Sequence, residues 1–149
     1  MVKNYFKLWI LIKQKNYRKG YIRMGVVVVS GAKITCPFGT VPCSMNVSSN
    51  SSCLGGSKPI ATVMDVSLSS FGMCSSMINP QVASATAAAM GVLTPQPCSF
   101  APAGVWSTTK AGMLIDGKPI LTNDAKLVCA IGMGNLSIID PGQSGIIIG

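Results

Sequence analysis

The sequence contains no histidine and no glutamate, and its four carboxylates are all aspartates. Cysteine and serine nucleophiles generally need an adjacent base, most often histidine. Asp65, Asp116, Asp124 and Asp140 are scattered through turn-like segments. No acid–base constellation is visible, and the expectation is a protein that is not an enzyme. Long apolar runs are also missing. The longest uncharged apolar stretch, Val82 to Leu93, is Ala-rich and interrupted by Ser84 and Thr86. It falls short of the roughly 18 residues a membrane span requires.

Charge is scarce once the amino-terminal segment is set aside. The net charge of +8 comes largely from seven basic residues, Lys3, Lys7, Lys13, Lys15, Arg18, Lys19 and Arg23. From Met24 onward there are five lysines and four aspartates. That is about 7% of the body, against about 25% in an average globular chain. A nucleic-acid-binding domain would show a basic face and aromatic platforms for stacking bases. Neither is present, so no nucleic-acid partner is expected. A surface this poor in charge is either rich in Ser, Thr and Asn or covered by partners in an assembly.

Residues 1–23 differ in composition from the rest. Their apolar centre, Leu8-Trp9-Ile10-Leu11-Ile12, is flanked by lysines and lacks the length and cleavage site of a secretory signal. They are expected to form a disordered basic leader, an upstream extension ahead of a start at Met24. The alternative is a membrane-surface or partner-binding peptide. Residues 24–149 are expected to form one domain.

The body is read as mainly β. Gly25–Ser30, with its run of four valines, and Lys33–Cys36 are expected strands. Cys36-Pro37-Phe38-Gly39 is a turn, and Asn46–Ser57 is a Ser/Asn/Gly-rich loop. Ser57-Lys58-Pro59-Ile60-Ala61-Thr62 recurs as Gly117-Lys118-Pro119-Ile120-Leu121-Thr122, each copy a glycine-containing turn feeding a short strand. One Ala-rich helix is specified over about Pro80–Met90. Asn79 is its N-cap, Pro80 its first residue and Gly91 its C-terminal stop. Further short strands are expected at Met113–Ile115, Ile120–Thr122, Leu127–Ala130, Leu136–Ile139 and Ile146–Ile148.

Six cysteines are present, Cys36, Cys43, Cys53, Cys74, Cys98 and Cys129, with no Cys-x-x-Cys pair among them. Disulfides, plain buried thiols and a four-thiolate Zn²⁺ site all fit this spacing.

Several segments in a fixed order resemble the PAAR-like proteins that cap the spike of contractile injection machines. They run from Gly31-Ala32 and Cys36-Pro37-Phe38-Gly39 through Pro59-Ile60-Ala61-Thr62, Asp65 and Phe71-Gly72-Met73-Cys74. They continue through Asn79-Pro80 with its Ala-rich helix, Leu93-Thr94-Pro95-Gln96-Pro97-Cys98, Trp106, Pro119-Ile120-Leu121, Lys126-Leu127-Val128-Cys129 and the late Gly-Gln. The resemblance implies a small conical fold of short β-hairpins around a pseudo-threefold axis. It implies a structural tip seated one per trimer on a VgrG-type spike of a type VI secretion or related system, sharpening it for puncture and recruiting effector proteins. It further implies assembly in a bacterial cytoplasm, transient contact with a target membrane, and translocation into a target cell or the exterior. PAAR proteins hold a metal largely through histidines, which this chain lacks. Cys36, Cys74, Cys98 and Cys129 fall on recurrent positions of the family and are implied as a structural four-cysteine Zn²⁺ site. Cys43 and Cys53 do not. The terminal Gly145–Gly149 segment either pairs with the spike or closes the domain's own sheet. The alternative to the whole reading is a secreted, disulfide-stapled surface or adhesion module.

Overall fold

A computed structural model describes residues 25–107 and 113–148. The expected leader, residues 1–23, lies outside these described residues. At the centre of the molecule three short segments meet. The Val28 N–H donates to the Leu121 carbonyl at 3.0 Å, the Leu121 N–H to the Ala61 carbonyl at 2.9 Å, and the Ala61 N–H to the Val28 carbonyl at 2.9 Å. Donors and acceptors close into a cycle of three, and all three residues are fully buried. The same permutation relates a second set of bonds: Ser30 N–H to Pro59, Val63 N–H to Pro119, and Asn123 N–H to Val26. It also relates the bridges Val29–Ile60, Thr62–Ile120 and Thr122–Val27. The arrangement is pseudo-threefold, and it satisfies backbone groups that burial would otherwise leave costly.

Each central segment is preceded by a two-stranded antiparallel pairing. β4 (Leu54–Gly55) pairs with β5 (Lys58–Pro59), and β8 (Leu114–Ile115) pairs with β9 (Lys118–Pro119). Two-residue loops close both hairpins. Gly56 has φ +75°, and Asp116 and Gly117 have φ +50° and +76°, the left-handed values that suit such turns. The third pairing has no turn. β1 (Gly25–Val26) pairs instead with β12 (Ile147–Ile148), from the far end of the described chain. The terminal strand therefore closes the domain's own sheet.

The three crossovers that link these units carry the remaining elements. β2 (Lys33–Thr35), β3 (Cys43–Ser44), β10 (Lys126–Val128) and β11 (Asn135–Asp140) form an antiparallel sheet in the order β10-β11-β2-β3. The pair β6 (Met73–Cys74) and β7 (Gln96–Pro97) brackets the single helix among the described residues, α1 (Pro80–Ala88). Asn79 caps it as its residue type predicts, its Oδ1 accepting the Gln81 N–H at 3.0 Å. The helix stops slightly earlier than Gly91 implies, because the left-handed turn begins at Met90 (φ +57°). Val82 and Thr86, one turn apart, are its buried residues.

Two apolar clusters follow from strand alternation. Val27, Ile60 and Ile120, each one residue before the ring, join Ile115, Ile146 and Ile148 in the smaller cluster. The ring residues themselves belong to the larger one, with Phe71, Trp106, Leu127 and Leu136. The described residues are thus mainly β, built of small sheets with one short helix. The loop expected at Asn46–Ser57 in fact contains β4, and the strand expected at Ile120–Thr122 is reduced to isolated bridges around the ring.

Candidate functional site

The crossovers converge on a small pocket. Cys36 follows β2 in the first crossover, Cys74 ends β6 and Cys98 follows β7 in the second, and Cys129 follows β10 in the third. All four line one cavity of about 10 Å³, which is room for roughly one water-sized occupant. Cys74 and Cys129 are buried, while Cys36 and Cys98 are half-buried. Cys43 and Cys53 stand outside it. Cys43 is buried with its Sγ 3.1 Å from Ser69 Oγ, and Cys53 is exposed. All six thiols are free. The structure therefore brings together the four cysteines singled out in the sequence and separates the other two.

Backbone bonds hold the four positions. The Cys98 N–H donates to Gly72 at 2.8 Å, and the Cys129 N–H to Gly134 at 2.9 Å. The Ser75 N–H, beside Cys74, donates to Phe38 at 3.0 Å, and the Gly39 N–H to Cys36 at 3.0 Å. Ser76 Oγ ties the second crossover to the third by donating to the Gly132 carbonyl at 2.6 Å. Phe71 and Phe100 close the apolar flank, edge to face at 5.8 Å.

Glycines make the close approach possible. A Cβ at Gly134 would sit 2.8 Å from the Cys36 sulfur, and one at Gly39 would sit 2.6 Å from Phe71 Cβ. The sequence reading marks Gly39 as part of the turn after Cys36, but it does not single out Gly134. The Gly132-Met133-Gly134 spacing, three residues after Cys129, is the available signal.

Burial pushes the Cys36 thiol above its ordinary value of 9.0. Backbone N–H groups of Phe38 and Gly39 oppose that rise, and the neighbouring Cys129 and Cys98 add to it. Mutual repulsion of this kind is what a bound cation relieves. Number, softness and neighbourhood of these donors suit Zn²⁺. As the side chains stand, no group of three or more cysteines or acids among the described residues is arranged to hold a metal ion. Holding one would require the thiols to draw inward.

A single chain that builds a pseudo-threefold β ring, with its crossovers gathered over a cysteine pocket, defines a structural class of small β domains. The sequence model of one family, a domain of unknown function (DUF4280), matches residues 28–143, and the chain belongs to that family. The match spans the ring and all four pocket cysteines. Neither a curated protein nor a solved structure gives a match.

Proposed function

We propose that this chain is a PAAR-like structural tip, capping a trimeric VgrG-type spike of a type VI secretion or related contractile injection system. The observation that carries the reading is the closed hydrogen-bond cycle through Val28, Ala61 and Leu121. A symmetric trimer offers three identical surfaces around its axis. One chain meets all three equally only if it repeats its own surface about that axis, as this domain does. The order of PAAR-like segments noted in the sequence agrees with it.

The role is mechanical and not enzymatic. With their thiols drawn inward, the pocket cysteines would hold a structural Zn²⁺ that fastens the three crossovers to one another. Structural zinc contributes roughly 10–16 kcal/mol of apparent binding energy in small peptide systems. A domain whose crossovers meet through short strands is the kind that such a fastening stiffens. Effector proteins dock on the stretch from residue 66 to 109, which contains no charged residue and exposes Met77, Ile78, Met90 and Val92. The tip assembles on its spike in a bacterial cytoplasm, touches the target membrane transiently and is translocated.

Co-expression with the VgrG-type spike from the same genome tests the reading. The tagged chain is expected to retain the spike through gel filtration. Failure to retain any spike from that genome would overturn it.

A further inference from the structure

The threefold relation that organises the backbone also organises part of the surface. Leu54, Leu114 and Ile147 occupy equivalent positions in the three strand pairs, each directly opposite its partner: Pro59, Pro119 and Val26. All three are large aliphatic residues, and all three face water, at 53%, 60% and 48% exposure. Their partners are half-buried. The next residue along each strand, Gly55, Ile115 and Ile148, turns inward and is buried or half-buried. Alternation alone therefore directs three aliphatic side chains outward at symmetry-related sites.

Folding does not require this. The solvent-facing position of a strand ordinarily carries a polar residue. Here three separate segments, with different flanking sequences, each place an aliphatic there. Solitary exposed hydrophobics are common and need no explanation. A set repeated about the pseudo-axis, in a domain with little charge, matches a partner that has the same symmetry.

We infer that Leu54, Leu114 and Ile147, each with its cross-strand neighbour Pro59, Pro119 or Val26, form the contact surface for the end of a threefold-symmetric protein trimer, one aliphatic pair per subunit. This rests on the spike-tip reading and adds the surface through which it operates. The pocket side of the molecule, with α1 and the exposed Ile78 and Leu93 that flank it in sequence, has no threefold counterpart and remains available to other partners.

The experiment uses the full chain and the trimeric VgrG-type spike from the same genome, with affinity measured by biolayer interferometry. Leu54→Asp, Leu114→Asp and Ile147→Asp are each expected to weaken binding at least tenfold and to similar extents. Ile78→Asp and Leu93→Asp are expected to stay within twofold of the unsubstituted chain. Near-normal binding by the three strand-pair variants, a loss confined to one of them, or an equal loss in the two controls overturns the assignment while the tip reading stands. No binding by the unsubstituted chain removes both. If an aspartate variant fails to fold, hydrogen exchange on the unsubstituted complex decides. Protection must appear together at residues 53–56, 113–116 and 146–148, and protection centred on residues 77–93 contradicts the inference.

Discussion

Asp65 is nearly fully buried, and a carboxylate is tolerated there only when hydrogen bonds replace its water. Its oxygens accept from the backbone N–H groups of Ser48, Ser49 and Thr62 and from the hydroxyls of Ser49 and Thr62. The equivalent positions in the other two units are Ala32 and Ala125, which sit in the same turn, their N–H groups donating to Val29 and Thr122. The unit with Ala32 also has Val29 in place of threonine, so no hydroxyl there asks for a partner. In the third unit Asp124, one residue earlier, accepts from the Thr122 hydroxyl. Asp65→Ala strands several donors and is expected to cost about 3 kcal/mol, measured as a drop of roughly 10 °C in thermal melting. The Cys36 thiol makes a second prediction. Its folded-state pKa lies above the unfolded one, so its contribution is complete below the unfolded value and is lost as pH rises through the folded value. Metal-free protein should lose melting temperature as pH climbs past about 9, and Cys36→Ser should flatten that slope.

Among the elements, α1 was the most legible in sequence. Cap, first-turn proline and alanine content all pointed the same way. Asn79→Ala is expected to cost about 1 kcal/mol, read from chemical denaturation. The strands were legible only in part. Most are two or three residues long, too short for alternation to establish a period. β4 lay hidden in a Ser-rich stretch because a Gly-Ser turn and a single leucine carry little strand signal. The Lys-Pro-Ile repeat revealed two of the three ring units. The third, Val26-Val27-Val28-Val29, has the sequence of an ordinary strand, because its partner is β12, more than a hundred residues away, and no turn announces it. The four pocket cysteines are separable from Cys43 and Cys53 by family resemblance, whereas Gly134, whose missing side chain admits the Cys36 sulfur, is not marked by it. Gly134→Ala should displace the Cys36 sulfur. If the pocket holds zinc, that variant should bind it at least tenfold more weakly in a chelator competition, and Cys43→Ser should leave affinity unchanged.

At the scale of the whole molecule, one ring and one pocket divide the work. The ring fixes threefold geometry through backbone bonds, which makes it insensitive to the identity of buried aliphatics. The pocket gathers the three crossovers. Because β1 and β12 complete the third strand pair as a hairpin would, the order in which the chain visits the units should matter little. A permuted chain that joins Ile148 to Gly25 through Asn-Gly and opens between Asp116 and Gly117 is expected to fold and to melt within a few degrees of the original. Failure to fold would show that the missing turn is a necessary asymmetry. The threefold claim itself is tested most directly by native mass spectrometry of this chain purified with the VgrG-type spike proposed as its partner. The account predicts one copy of this chain per three spike chains. A complex with three copies per three spike chains would contradict it, since each subunit would then be meeting its own tip and the internal symmetry would have no partner to match.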